Sequence, residues 1–475
     1  MENHDRQAPL DAMDALAALW KLSGERDAAL ACVRLTGQEP ALPSSFAVGT
    51  AAQASIAISA LAAAELHRMR GGMPQQIEVD MRHAAIEFRA EQYLRVDGAP
   101  APEFRDRITR TFQCGDGRWV RIHANFPHHR DGVLRILRCG HDAGAVARAL
   151  QSRDAFGFEQ EAAAAGMVVT AMRSFDEWDA HPQGQAVAGL PLLSIERLGD
   201  APPRPLPPAA RPLSGVRVLD LTRVIAGPVC GRTLAGHGAE VLLVSAPHLP
   251  SIEPLVMETG LGKRACFLDL RDACDQQAFD ALLGEADVLV QGYRPGALDA
   301  LGLGPEAAAR KRPGLVYVSL CAYGEAGPWA ARRGFDSLVQ TASGFNHAEA
   351  HAGGATAPAP LPAQALDRAT GYLMAYAVMA ALMRRSREGG SWHVRLSLAQ
   401  TGHWLRGLGR VAGGLEVAMP AFDDIADLTE QHASGFGMLT TLRHAARMSG
   451  TPVRWDLPAM PLGSHAAAWV SGAAG

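Results

Sequence analysis

The 475-residue sequence predicts an α/β protein, with a large parallel sheet covered by helices on both faces and a small α+β unit beside it. Three observations lead there. Past residue 213, short β-branched and apolar runs alternate with helical stretches, the pattern of a parallel sheet buried on both faces. A proline-rich run at 201–212 (APPRPLPPAARP) can be neither helix nor central strand, and it divides that region from the first two hundred residues. In the first part, a Gly115, Asp116, Gly117 turn between residues 110–113 and 119–124 reads as a β-hairpin, with helical segments after it.

Hydrophobic residues make up 48% of the chain and charged residues 20%, enough for a sizeable core. The length fits two domains of ordinary size. A net charge of −4 gives no reason to expect nucleic acid or an anionic membrane as a partner. The seven cysteines form no CxxC pair and are odd in number, so reduced thiols and a cytoplasmic location are expected. The apolar stretch at 51–64 is shorter than the about 20 residues that span a bilayer, so no membrane association is expected. His128 and His129 are adjacent, with no cysteine or carboxylate at ligand spacing, and a surface loop is expected there rather than a metal site.

From the proline-rich break onward the elements follow in order. Residues 216–221 (VRVLDL) form a first strand, 222–228 a loop containing Gly227 and Pro228, and 229–236 an apolar helix. Further strands are expected at 240–244, 266–270, 288–291 and 315–320, with helices at 273–284 and 305–310 between them. A long apolar helix at 367–385 and a strand at 393–398 follow. A shift of 317 positions (50 onto 367) lays residues 51–81 on 368–398. Ala60, Ala63, Ala64, Arg68, Arg70 and Gly72 then coincide with Ala377, Ala380, Ala381, Arg385, Arg387 and Gly389. A shared strand after a shared glycine points to an internal duplication rather than a chance likeness of two alanine-rich helices. The predicted organisation is a first partial copy at 1–200 that includes the small unit, a linker at 201–212, and a second copy at 213–475.

Several separated motifs stand in one order: PLSGVRVLDLTRVIAGP at 212–228, GKRACFLDLR at 262–271, ADVLVQGYRPGALDALGLG at 286–304, AYGEAGPWAARRGFDSLVQTASG at 322–344 and LDRATGYLMAYAVMAALMRR at 366–385. Together they resemble the family III CoA-transferases, also called the CaiB/BaiF family. DGRWVRIHAN at 116–125 and GMVVTAMRSFDEWDAHPQ at 166–183 are similar to the segments bounding that family's small domain. The resemblance covers nearly the whole chain in an unusual order, a fused form of roughly one and a half family units. It implies a Rossmann-like large domain plus a small α+β domain. It also implies acyl-CoA and a small carboxylic acid as partners, with CoA a substrate and no cofactor tightly bound. Family members are two chains threaded through each other; a fused chain could supply both parts itself or still form a homodimer.

In the family an aspartate attacks the thioester, giving a mixed anhydride and CoA thiolate. The matching residue is Asp367. Read without the resemblance, an aspartate before an apolar helix is an N-cap worth about 1 kcal/mol, and the helix N-terminus would favour its ionised form. Thr50 holds the equivalent place in the first copy and cannot form the anhydride, so one site per chain is expected. Val224, Ile225 and Ala226 match the family's CoA-contacting loop, where small residues let backbone approach the ligand. Leu268 and Arg271 match positions at the adenine and phosphates, and Tyr293 either stacks near the adenine or fills the core. Lys263, Arg264 and Arg294 are further cations for the diphosphate. Leu243, Ser245 and Gly292 depart from the family pattern, which keeps a second reading open, a non-catalytic CoA-binding or assembly protein. An acyl-CoA racemase would need a histidine where Phe335 stands between Gly334 and Asp336. A dinucleotide-dependent oxidoreductase would need a GxGxxG directly after the first strand.

Overall fold

The computed structural model describes residues 8–470. Seven strands form its main sheet in the spatial order Lys263–Phe267, Glu240–Ser245, Arg217–Leu221, Val288–Gln291, Val316–Cys321, Ser391–Ser397 and Leu193–Gly199. The first six are parallel and the seventh is antiparallel to its neighbour. Numbered along the chain, the six parallel strands run 3-2-1-4-5-6. Such a sheet opens its ligand crevice at the strands' carboxyl ends where the order reverses, here between the Arg217 and Val288 strands.

Most boundaries fall within a residue or two of expectation, and two differ in ways that matter. The helix after the first strand is Ala226–Gly236 and begins three residues early, with Gly227 and Pro228 in its first turn. A proline there loses no intrahelical hydrogen bond, and Gly227 lies so close over Thr222 that a Cβ would sit 2.3 Å from the Thr222 Cβ. The strand expected at 266–270 is Lys263–Phe267. Its register starts earlier because Lys263, though charged, has a buried partner: its Nζ lies 2.9 Å from Asp220 Oδ2 and donates to the Pro228 carbonyl at 2.8 Å.

A second, smaller sheet repeats the end of the first. Val33–Thr36 pairs in parallel with Ile77–Asp80, and Ala446–Met448 adds antiparallel to it. The 317-residue shift carries Ile77–Asp80 into the Ser391 strand, and the start of helix Val48–Met69 onto that of helix Ala365–Glu388. It also carries Asp80, the N-cap of helix Met81–Glu87, onto Ser397, the N-cap of helix Leu398–Gly407. This correspondence is compatible with an internal duplication. The closing strands are exchanged between the halves. Leu193–Gly199 comes from the first half and closes the main sheet, while Ala446–Met448 comes from the end of the chain and closes the smaller one.

The two long helices pack against each other at the centre. Val48–Met69 is long and apolar enough to cross a membrane, and its whole apolar window is buried inside the fold. Below these helices the halves are tied by an alternating row of buried charges. Arg232 reaches Glu87 and Glu258, and Arg368 reaches Glu258 and Glu91. Buried ions of this kind are tolerated only when paired.

The hairpin of the small unit forms as expected, Thr111–Gln113 against Trp119–Ile122, and Val169–Ala171 adds a third strand. Val120 and Ile122 point into the unit's own core with Phe158 and Leu150. Arg121 and His123, on the alternate face, point away from it, toward the main sheet's crevice.

Candidate functional site

At the carboxyl ends of the Arg217, Val288 and Val316 strands lies a cavity of about 300 Å³. Its walls bring together Val224, Ile225, Ala226, Tyr293 and Asp367. Phe126, His128 and His129 of the small unit close its opposite side. The site is therefore built from both halves of the chain.

Asp367 is the third residue of helix Ala365–Glu388, and it is not the N-cap. That place belongs to Gln364, which makes no side-chain cap. The capping is done over a long range, since Asp336 Oδ2 accepts the Asp367 backbone N–H at 2.9 Å. The Leu366 backbone N–H and the Gln340 side-chain amide also donate to Asp336. Freed of that duty, the Asp367 carboxylate makes no hydrogen bond to any of the described residues and lines the cavity, 7% exposed. Burial first, and then the neighbouring Asp336 charge, push Asp367 well above the ordinary carboxylate range, with Arg368 opposing. The expected help of the helix N-terminus is thus outweighed, and Asp367 gives up its proton less readily than a surface aspartate. Asp336 itself is pushed up to about 7, chiefly by burial.

Two features hold Asp367 against the loop after the first strand. Val224 has φ +75°, a left-handed conformation that a β-branched residue adopts only under strain. Gly371, one turn beyond Asp367, lets the helices touch: a Cβ there would lie 2.6 Å from the Ala226 carbonyl oxygen and 2.7 Å from Val229.

Cations line the cavity's mouth. Arg223 and Arg294 are exposed; the Arg223 guanidinium lies 6.0 Å from the Tyr293 ring centre, and Arg294 carries no hydrogen bond or ion pair. Arg333 donates to the Gly166 carbonyl at 2.7 Å and contacts His129. Guanidinium groups are donors of the type that bind phosphate, and Arg333 is held in place by its own hydrogen bond.

The other cations named from the sequence lie elsewhere. Lys263 is buried in its pair with Asp220, and Arg264, at the amino end of its strand, bonds the Ala468 carbonyl and lies 3.9 Å from Glu240. Because that strand begins at Lys263, both residues sit at its start, away from the carboxyl edge where the crevice opens. Leu268 packs in the core on the other face of the sheet, and Arg271 is exposed and paired with Asp269. Neither lines the cavity.

A second cavity, of about 530 Å³, meets the first along Val224, Ile225, Phe335 and Asp367. Its lining also includes Arg89, Arg105, Arg121 and His123, none of which sequence reasoning singled out. The signal was present in WVRIH, 119–123, whose alternation puts Arg121 and His123 opposite two core residues. Phe335, at the place where a racemase would need histidine, stacks on His123 with ring centres 3.9 Å apart. Burial pulls His123 down to about 3, so the ring is neutral at ordinary pH. His128 and His129 are not in a surface loop: they occupy the first turn of helix Pro127–Leu137 and line the first cavity. His129 is buried and pulled down to about 3. Among the described residues no group of three or more His, Cys, Asp or Glu is placed to hold a metal ion.

Residues 18–203 and 213–410 match CoA-transferase family III. An acyl-CoA transferase of Gibberella moniliformis is 30% identical over 380 residues, 70% of this chain and 66% of its own. A probable fatty acyl-CoA transferase of Mycobacterium tuberculosis is 37% identical over 38% of this chain and 48% of its own. A mouse succinyl-CoA:glutarate CoA-transferase is 32% identical over 38% of this chain and 43% of its own. The chain thus spans two thirds of the first relative's length and less than half of the other two. Among solved structures, a CaiB/BaiF family protein of Brucella suis is 28% identical with a TM-score of 0.36, covering 41% of this chain and 55% of that one. A Mycobacterium tuberculosis protein described as hypothetical is 34% identical, with a TM-score of 0.39, over 42% of this chain and 57% of that one.

Proposed function

The chain belongs to CoA-transferase family III, and from that premise we propose that it moves CoA from an acyl-CoA to a carboxylic acid, with Asp367 as the acyl-accepting carboxylate. The observation that carries this reading is the position of Asp367 at the seam of two cavities, its carboxylate without a hydrogen bond to any of the described residues. The nucleotide end of CoA fits the cation-rimmed first cavity, and the acyl group fits the second. An oxygen of Asp367 attacks the thioester carbonyl carbon, the carbon–sulfur bond breaks, and CoA leaves as thiolate. The acceptor carboxylate attacks the Asp367 carbonyl carbon of the anhydride, the bond from that carbon to the donor acid's oxygen breaks, and the donor leaves as a free carboxylate, giving the anhydride of the acceptor. Attack of the thiolate on the new acyl carbon releases the product thioester and restores the Asp367 carboxylate. Val224 and Ile225 border both cavities and Ala226 the first, which supports a role for this loop beside the thioester. The exchange of closing strands supports a site completed within one chain.

Incubation with a panel of acyl-CoAs, quenching with hydroxylamine, and mass spectrometry tests this. One hydroxamate per chain at Asp367 is expected, and none in the Asp367→Asn variant. Modification at another residue, or none with any acyl-CoA, would overturn the assignment. The altered positions Leu243, Ser245 and Gly292 favour the alternative of a CoA-binding protein without turnover, which would bind CoA yet form no hydroxamate.

A further inference from the structure

We infer that the second cavity receives an acyl group ending in a carboxylate, so that the substrates are monothioesters of dicarboxylic acids, and that Arg121 is the residue that binds the far carboxylate. This rests on the reading of Asp367 as the acyl-accepting group; the cavity's own charge pattern supplies the rest.

Arg121 lies on the middle strand of the small unit's sheet and projects into the second cavity. Its side chain is part-buried and makes no hydrogen bond or ion pair with any described residue, and its Nε is buried without a partner. Such a guanidinium is costly unless something pairs with it. Burial, followed by the nearby Arg105 charge, pulls it down to about 10, so it keeps its charge at neutral pH. Arg89, in the same lining, also has a buried Nε without a partner, and otherwise bonds only the Pro362 carbonyl. The carboxylates of this cavity do not answer that charge. Glu91 is already paired with Arg368, and Asp367, at the seam with the first cavity, is the acyl-accepting group itself. The lining mixes polar residues with the apolar Ile252, Leu255 and Leu361. An aliphatic acyl chain would leave the Arg121 guanidinium unpaired, its Nε still buried. A chain ending in a carboxylate would give it a charged, two-pronged partner of the geometry that arginine fits best.

The test is calorimetric binding of succinyl-CoA and glutaryl-CoA against butyryl-CoA and valeryl-CoA, each pair matched in length, to the full chain carrying Asp367→Asn so that no transfer occurs. At one length or both, the dicarboxylic thioester is expected to bind about 10- to 100-fold more tightly, the range for a charged hydrogen bond in a buried site. Arg121→Gln in the same background is expected to erase that ratio. Equal affinities at both lengths, or a preference that survives Arg121→Gln, would overturn the inference. The first comparison needs no change at Arg121, so a variant that fails to fold does not block the test. Failure of the transferase reading shows separately, as a missing hydroxamate in the unmodified chain.

Discussion

The contact at Gly371 gives the sharpest test of how the site is held. Replacement by alanine adds one methyl group where the space is already filled: its carbon would lie 2.6 Å from the Ala226 oxygen and 2.7 Å from the Val229 Cβ and Cγ1. Ordinary contact begins at 3.4 Å, so the two helices must separate by about 0.8 Å at this point. Both sides of the contact matter, since Ala226 opens helix Ala226–Gly236 and lines the cavity, and Asp367 lies one turn from Gly371 on the other helix. Overpacking a core in this way costs about 1–3 kcal/mol, and the better helix propensity of alanine returns about 1 kcal/mol. The net loss of stability is therefore small, about 0–2 kcal/mol by those ranges. Catalysis is more sensitive, because a misplacement near 1 Å costs about 100-fold in rate. Gly371→Ala is thus expected to lower acyl transfer by about 10- to 100-fold while the urea unfolding midpoint moves little. Gly284→Ala is the control, a glycine in helix Ala273–Glu285 with nothing within 4 Å of the added carbon. It should leave transfer unchanged and stabilise by about 0.5 kcal/mol. Transfer by Gly371→Ala within a factor of about three of the unmodified chain would refute the argument, because the displacement would then not reach the reacting groups.

Two further predictions concern charge. Asp367 must be ionised to attack, and it is held above the ordinary range partly by Asp336, so transfer should fall as pH drops through that raised value. Asp336→Asn removes the neighbouring charge but keeps an oxygen to accept the Asp367 N–H; it should move the acid limb of the pH–rate profile to lower pH, and a limb that stays or rises would contradict the coupling. Arg368→Met leaves Glu91 and Glu258 buried without their shared cation. A loss of about 3–5 kcal/mol in urea unfolding is expected, and a loss under about 1 kcal/mol would show that the row of charges is not holding the halves together.

The sheet was legible in the sequence because its strands are short runs of Val, Leu and Ile, buried on both faces, that break at glycine or proline. Val288–Gln291 shows this, predicted and found at the same residues. Where reading failed, a partner distant in sequence decided the outcome. The Lys263 strand begins three residues early because the Asp220 carboxylate, 43 residues away, makes a buried lysine affordable. Asp367 resembles an N-cap locally, but Asp336, 31 residues before it, takes the helix's N–H groups instead. His128 and His129 look like loop residues until the small unit folds over the crevice. Arg121 was hidden for the same reason: a hairpin arginine becomes part of a site only through the surface its outer face meets.

That dependence on distant partners also accounts for a single site in a chain with two long helices of matching start. The first helix repeats the local arrangement closely. Glu39 accepts the Thr50 N–H at 2.7 Å as Asp336 accepts that of Asp367, and it too is pushed up by burial. What differs is everything the second site receives from afar. Among the described residues, no strands corresponding to the Arg217, Glu240, Lys263 and Val288 strands stand beside Val33–Thr36, whose sheet ends there after three strands. No small unit follows the second helix to cover Thr50, which is 1% exposed. The main sheet's half and the small unit each contribute walls to the cavities that meet at Asp367. Thr50 is buried, its N–H bonded to Glu39, and it lines neither cavity, so a carboxylate there would be a buried charge beside another acid, whereas Asp367 opens onto two cavities that are both lined with arginine.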